Sequence, residues 1–205
     1  MRYKMTHPKW KTKDEFPGSI SLPFGIKTSH TWYEIGQILR IINDYDVYTF
    51  IELGAHVGGL ASILVWRSRF APFRYIGYEI LSPIIDDNVK NNCAIYSKDI
   101  FKHPEEIVPK DNDGKIFIYC DNGNKVKEMQ VFHKFLRSGD IIACHDYYNG
   151  QWVDGLKDFG ESDECGCVPE VWEKDVQYLI NDETFTLLPS YLLHGTRIIG
   201  FIKNA

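Results

Sequence analysis

The sequence has no long apolar run, no excess of basic residues and no regular cysteine pattern. A membrane-spanning helix needs about 18 consecutive apolar residues, which no segment provides, and the start "MRYKMTHPKWKTKDEF" has no signal-peptide-like apolar stretch. The 23 basic and 28 acidic residues give a net charge of −5, so the chain offers no general basic field for a phosphate backbone. These features predict a protein without membrane association or general nucleic-acid binding.

The five cysteines do not form a recognisable framework. Cys165 and Cys167 form a C-x-C pair without a second pair at zinc-finger spacing. Cys120 and Cys144 fall in apolar runs, where a small buried thiol is expected. This usage is typical of a reducing compartment and predicts a cytoplasmic protein.

The sequence contains alternating strand-like and helix-like segments. Apolar residues recur at helical spacing in "TWYEIGQILRIINDY", and a β-rich run, "YTFIEL", follows. Five such alternations precede two final strand-like runs, and we expect those two to form a hairpin without a helix between them. This order predicts an α/β, Rossmann-like, doubly wound sheet of seven mostly parallel strands, with helices on both faces and an antiparallel last strand.

The segment lengths also predict how the chain is organised. Residues 31–205 form one domain, because 205 residues is the usual size of a single core and no linker interrupts the alternation. Residues 1–30 form a lead-in that caps the domain or contributes to a dimer contact. Residues 147–169, rich in Gly, Asp and Glu, are too long for an ordinary connection and predict a lid-like loop.

The stretch "YTFIELGAHVGGLASILV", residues 48–65, runs from the first strand of this alternation into a glycine-rich turn and then a helix. The dinucleotide fingerprint G-x-G-x-x-G fails because position 56 is His, and no G-K-[ST] follows for a phosphate-binding loop. What remains is E-x-G-x-x-x-G-G. The glycines allow the backbone to approach a ligand, and the helix N-terminus near Val57 offers N–H groups to an anion.

Acidic residues stand at the ends of four successive strands. They are Glu52, Glu79, Asp99 and Asp121. Ligands of open α/β sheets bind beyond the carboxyl ends of the strands, so this coincidence predicts a binding site.

The glycine turn resembles motif I of the class I S-adenosylmethionine-dependent methyltransferases, and the resemblance extends from about Trp32 to Ile202. It implies S-adenosylmethionine as the cofactor. Glu52 then faces its ammonium and sulfonium groups, Glu79 accepts hydrogen bonds from the ribose, and Asp121 borders the substrate. The full set of cofactor-binding residues that the resemblance implies is Glu52, Gly54, His56, Gly58, Gly59, Glu79, Asp99, Ile100 and Asp121.

The stretch "DNGNKVKEMQVFHKFLRSGDIIACHDY" resembles the branch of small-molecule O-methyltransferases that acts on macrolide sugars and catechols, and related cephalosporin-hydroxylase-type proteins. That branch implies a divalent cation, Mg²⁺ or Mn²⁺, held by Asp121, His145 and Asp146. His145 stands where catechol-type enzymes carry an acid. An imidazole suits Mn²⁺, Fe²⁺ or Zn²⁺ better than Mg²⁺.

Two alternatives to metal binding stay open for this pair. His145 is a general base without a metal, or His145 and Asp146 are a hydrogen-bonded pair that fixes the next loop. Lys125 is a third candidate catalytic residue, although we expect it to be solvated. The other histidines, His30 among them, have no spacing that indicates a ligand.

The resulting hypothesis is an enzyme that methylates an oxygen of a small molecule or sugar. It leaves two alternatives: a cofactor-binding module without transfer activity, and an iron-dependent, hydroxylase-like relative. The sequence is compatible with a homodimer and does not identify the acceptor.

Overall fold

The structure is a computed structural model that describes residues 20–21, 27–28, 30–56, 58–68, 70–80, 94–110, 114–148, 170–193 and 197–205. Three predictions lie outside these residues: most of the lead-in, the C-x-C pair, and the lid beyond Tyr148. Within them, no helix combines the length and apolar character needed to cross a membrane.

The described elements follow the predicted alternation. The strands are β1 (Ile20–Ser21), β2 (Lys27–Thr28), β3 (Val47–Leu53), β4 (Arg74–Tyr78), β5 (Ala94–Tyr96), β6 (Lys115–Cys120), β7 (Ile141–Cys144), β8 (Tyr147–Tyr148), β9 (Val171–Trp172), β10 (Phe185–Leu187) and β11 (Ile199–Lys203). The helices are α1 (Trp32–Asp44), α2 (Gly59–Arg67), α3 (Lys125–Phe132), α4 (Glu173–Ile180) and α5 (Ser190–Leu193).

Seven strands form the main sheet in the order β10-β11-β7-β6-β3-β4-β5. Strands β3, β4, β5, β6 and β7 pair in parallel, and β11 is antiparallel to both of its neighbours, β7 and β10. The predicted fold class is therefore confirmed. The last two strands pair antiparallel as predicted. The prediction that no helix lies between them was wrong, because α5 connects β10 and β11 and its Leu193 packs onto the core.

Helices cover both faces of this sheet. Ile38 and Ile42 of α1 and Leu64 of α2 pack with Phe50 of β3 on one face. Residues of α3 and α4 pack on the other face, as Met129 does against Ile118 of β6. Side chains of β6 enter both layers because successive residues point to opposite faces.

The start of α1 is fixed by a reciprocal cap. The Thr31 side chain accepts the Glu34 backbone N–H at 3.1 Å, and the Glu34 carboxylate accepts the Thr31 N–H at 2.8 Å. Glu34 is buried, so this cap also holds a carboxylate at the inner face of the helix start. That position brings Glu34 to the site described below.

The central strand β3 has β4 on one side and β6 on the other. After β3 the chain first builds the sheet toward one edge, through β4 and β5. It then crosses to the other side of β3 and builds toward the opposite edge, beginning with β6 and β7. Such a point leaves a crevice beyond the carboxyl ends of the strands. The glycine turn at residues 54–59 and Asp121 both lie at this end.

Candidate functional site

The glycine turn after β3 is built from left-handed backbone. Gly54, His56 and Gly58 have φ values of 95°, 49° and 87°. A Cβ on Gly54 would lie 2.6 Å from the Asp121 carbonyl oxygen and 2.7 Å from the Asn122 backbone. Glycine is therefore required at position 54 by both its backbone angle and its close approach to the β6 end.

Glu79 holds this turn from the neighbouring strand end. Its Oε2 accepts the backbone N–H of His56 at 2.8 Å, and its own N–H donates to the Tyr96 carbonyl at 3.0 Å. Glu79 is 6 % exposed. Burial lowers the pKa of His56, against the opposing effect of the Glu79 charge. The Glu79 carboxylate at the end of β4 thus fixes the backbone of the turn after β3.

Glu52 lies in the core, at 2 % exposure, and accepts a hydrogen bond from the Tyr75 hydroxyl. Burial, together with the negative charges of Asp121 and Glu79, raises the pKa of Glu52 to about 8 despite that bond. Glu52 is therefore mostly protonated at neutral pH. Its predicted contact with the cofactor ammonium stays a prediction.

Asp99 and Ile100, the predicted residues of the adenine end, follow the edge strand β5. Asp99 follows β5, and its Oδ1 accepts the Phe101 N–H at 3.0 Å. Ile100 is buried. Gly59 is the first residue of α2, which has no side-chain cap at Gly58. The role of these residues at a cofactor is a prediction that this geometry permits.

His30 is a site residue that sequence spacing did not indicate. Its Nε2 lies 3.2 Å from Asp121 Oδ2 and 3.2 Å from the Tyr119 hydroxyl, and its Nδ1 lies 3.2 Å from the Thr28 hydroxyl. His30 is 4 % exposed. The segment before α1 therefore contributes a buried imidazole at the end of β6.

His145 follows β7 and lies among three carboxylates. Its Nδ1 is 3.4 Å from Asp121 Oδ1 and 3.3 Å from Asp146 Oδ1, and its Nε2 is 3.1 Å from Glu34 Oε1. Burial alone lowers the pKa of His145, but Asp146 and Asp121 outweigh it and raise that pKa well above the ordinary value. The same contacts hold the pKa of Glu34 well below its usual range, against the effect of burial.

Lys125 is buried, and its expected solvation was wrong. Its Nζ lies 3.4 Å from Asp121 Oδ1, 3.1 Å from Asp146 Oδ2 and 2.7 Å from Glu170 Oε2, at 5 % exposure. Burial alone lowers the pKa of Lys125, but the three carboxylates outweigh it and raise that pKa above its ordinary value. Lys125 is therefore a fixed positive charge and a poor general base.

Arg197 completes the network from the segment before β11. Its NH1 lies 2.9 Å from Asp146 Oδ1, and its Nε lies 3.5 Å from Glu34 Oε1. Asp146 has left-handed backbone, with φ at 57°, which Asp tolerates better than most residues. Its pKa lies below the usual range, because the charges of His145, Lys125 and Arg197 outweigh the effect of burial.

No family model matches the sequence, and no curated protein matches it. Solved structures do match. CmcI with magnesium and S-adenosylmethionine (SAM) has a TM-score of 0.59 at 11 % identity, over 88 % of this chain and 75 % of that one. The Podospora anserina methyltransferase PaMTH1 bound to S-adenosylhomocysteine (SAH) has a TM-score of 0.56 at 15 % identity, over 90 % of this chain and 83 % of that one.

A Bacillus cereus O-methyltransferase in complex with SAH has a TM-score of 0.51 at 14 % identity, over 87 % of this chain and 83 % of that one. The chain has the class I methyltransferase fold. The glycine turn whose sequence resembles motif I follows β3, and Asp121 and His145 directly follow the paired strands β6 and β7.

The predicted metal ligands are only partly brought together. Among the described residues, Asp121 and His145 form a cluster with His30 whose ligand atoms lie within 4.8 Å of one another. Asp146 is not in that cluster, although its Oδ1 lies 3.3 Å from His145 Nδ1, and its two oxygens also contact Lys125 and Arg197. Two imidazoles and one carboxylate fit Mn²⁺, Fe²⁺ or Zn²⁺ and fit Mg²⁺ poorly.

Proposed function

We propose that this protein is a SAM-dependent methyltransferase that acts on an oxygen of a small molecule or sugar. The observation that carries the proposal is the turn of Gly54, His56 and Gly58, held by Glu79 at the switch point of the sheet. This turn lies at the carboxyl end of β3, in the crevice where open α/β sheets bind their ligands.

The similar structures support the same cofactor. PaMTH1 and the Bacillus cereus enzyme hold SAH, and CmcI holds magnesium and SAM. In this chain we assign the cofactor carboxylate to the start of α2 at Gly59, because the first N–H groups of a helix lack partners within it. Gly58, the N-cap, shapes this start, and its own N–H donates to the Ala55 carbonyl at 2.8 Å. We assign the ribose to Glu79 and the adenine end to Asp99 and Ile100.

In the proposed reaction a substrate oxygen attacks the methyl carbon, the carbon–sulfur bond breaks, and SAH leaves as a neutral sulfide. The hydroxyl proton passes to a base or to solvent. Lys125 is held protonated, so its part is electrostatic: it fixes Asp121 and Asp146 beside the acceptor position. The protein contributes mainly orientation, which is the larger part of catalysis in such transfers.

Further features follow from the sequence and stay part of this proposal. The acceptor is a small hydroxylated molecule, because the acidic chain offers no basic surface for a nucleic acid. The predicted lid at residues 147–169 shapes the acceptor pocket, and the buried thiols of Cys120 and Cys144 agree with a cytoplasmic, reducing compartment.

Calorimetric titration of SAH tests the cofactor site. We expect binding by the wild-type protein and at least ~10-fold weaker binding by Glu79→Gln, which loses a charged acceptor worth over 1 kcal/mol. Glu105→Gln, at an exposed glutamate away from the turn, is the matched control and keeps wild-type affinity. Absence of SAH binding by the wild-type protein contradicts the proposal.

Transfer itself is tested by SAH release from SAM with a panel of catechols, phenols and sugars. Turnover with any acceptor supports the enzyme. Tight SAH binding with no turnover across the panel favours instead a cofactor-binding module. The two measurements thus separate the cofactor site from the chemistry.

A further inference from the structure

We propose that His30, Asp121 and His145 bind one divalent transition-metal ion, such as Mn²⁺, Fe²⁺ or Zn²⁺, and that Mg²⁺ binds there poorly. The site goes beyond the ligand set predicted from the sequence, because it replaces Asp146 with a histidine from the segment before α1. It rests on the proposed function only for the use of the metal, not for its presence.

The spacing of the three ligands suits a shared ion. His30 Nε2 lies 3.2 Å from Asp121 Oδ2, and His145 Nδ1 lies 3.4 Å from Asp121 Oδ1. Two bonds of about 2.0–2.1 Å at a tetrahedral angle separate their ligand atoms by about 3.4 Å. Charge-assisted hydrogen bonds between nitrogen and carboxylate are shorter, at about 2.7–2.9 Å.

Each imidazole is oriented by an oxygen on its other nitrogen. Glu34 Oε1 lies 3.1 Å from His145 Nε2, and the Thr28 hydroxyl lies 3.2 Å from His30 Nδ1. Metal-binding histidines almost always have such a partner, which fixes the tautomer and makes the metal-facing nitrogen more basic. Glu34 is itself fixed by the cap of α1. Both imidazoles therefore present one nitrogen toward Asp121.

The charges of the network leave a place for a divalent ion. Two permanent cations, Lys125 and Arg197, contact four carboxylates. These belong to Glu34, Asp121, Asp146 and Glu170. Two negative charges remain, and one M²⁺ ion would balance them. Buried charges require such a balance.

The nearby cations make Asp146 a weaker candidate ligand than His30 in the proposed site. Lys125 Nζ and Arg197 NH1 lie 3.1 Å and 2.9 Å from its two oxygens. A site of carboxylates alone, which Mg²⁺ prefers, is thereby lost, whereas His30 adds the nitrogen ligand that transition metals favour.

Metal titration of the full chain, after chelator treatment and without SAM or acceptor, tests the site. We expect one equivalent of Co²⁺ to give a visible d–d spectrum, Zn²⁺ to compete for the same site, and Mg²⁺ to bind at least ~100-fold more weakly. His30→Gln, which keeps a polar side chain, and Glu34→Gln each weaken Co²⁺ binding by about 10–100-fold. Circular dichroism checks that both variants are folded.

His103→Ala is the control, because His103, Glu105 and Glu106 form an exposed cluster that also has metal-ligand spacing. It keeps the wild-type Co²⁺ spectrum and affinity. Loss of binding in His103→Ala, an unchanged spectrum in a folded His30→Gln, Mg²⁺ binding as tight as Zn²⁺ binding, or no Co²⁺ binding by the wild-type protein each overturns the proposal. None of these outcomes affects SAH binding, so failure here is distinct from failure of the proposed function.

Discussion

The ammonium of Lys125 lies 2.7 Å from Oε2 of Glu170, a residue 45 positions further along the chain. Lys125 begins α3 directly after its N-cap, Asn124, and Glu170 directly precedes β9. The contact therefore joins the segment after β6 to the segment that returns before α4. Several predictions depend on the charges gathered around it.

Removal of the Lys125 ammonium is expected to be costly for stability. In Lys125→Met three carboxylates lose their shared cation while Asp121 stays almost buried, and breaking a buried ion pair costs about 3–5 kcal/mol. Urea denaturation at pH 7 measures the free energy of unfolding. The exposed Lys134→Met is the control and changes it by less than ~0.5 kcal/mol. A loss equal to the control would show that the cluster is solvated.

Glu52 gives a pH dependence of known sign. The pKa of Glu52 is raised to about 8 in the folded state, so between about pH 4.5 and 8 the folded state holds a proton that the unfolded state releases. As the pH rises through that window, the contribution of Glu52 to the free energy of unfolding therefore falls by up to ~1.4 kcal/mol per pH unit. Urea denaturation at pH 5 and pH 8 should show a smaller decrease in Glu52→Gln than in the wild-type protein. Equal decreases would contradict the buried, neutral state.

Two glycine-to-alanine substitutions should change the free energy of unfolding in opposite directions. Gly54→Ala places a Cβ 2.6 Å from a carbonyl oxygen at φ 95° and should destabilise the protein by about 1–3 kcal/mol. Gly36→Ala, inside α1 with nothing within 4 Å of the added Cβ, should stabilise it by about 0.5–1 kcal/mol. Thermal unfolding of both variants checks the pair. SAH affinity should fall only in Gly54→Ala.

Asp140 is a structural carboxylate whose loss should be measurable. Its Oδ1 accepts the Ile116 N–H at 2.8 Å and its Oδ2 accepts the Arg137 N–H at 2.8 Å, at 1 % exposure. Asp140→Ala removes the acceptor of the buried Ile116 N–H and of the partly buried Arg137 N–H, and the buried donor alone should cost about 1–3 kcal/mol. The half-exposed Asp44→Ala, at the end of α1, is the control in the same denaturation experiment.

The strand and helix pattern was predictable because it depends on local periodicity. The apolar stripe of α1 and the glycine turn after β3 are both readable from neighbouring residues. The location of the four acids at the same edge of the sheet was predictable, because parallel strands bring their carboxyl ends to one edge.

His30 and Lys125 were not predicted in their actual environments. His30 contacts Tyr119, which is 89 positions away, and no local pattern records such a contact. Lys125 has the i,i+4 spacing to Asp121 that is typical of a solvated helix surface. Its burial depends on Asp146 and Glu170, which come from two other elements. Long-range contacts of this kind follow from the fold and not from spacing.

The ion network also has an energetic consequence for the two layers of the protein. Glu34 belongs to α1 on one face of the sheet, whereas Lys125 belongs to α3 on the other, and the path Glu34–His145–Asp146–Lys125 runs around the carboxyl edge between them. Residues that share partners in this way are thermodynamically coupled. A double-mutant cycle between Glu34 and Glu170 should therefore be non-additive although none of the described contacts joins them directly. Arg197 also connects Glu34 to Asp146, so replacement of both His145 and Arg197 should make the two effects independent.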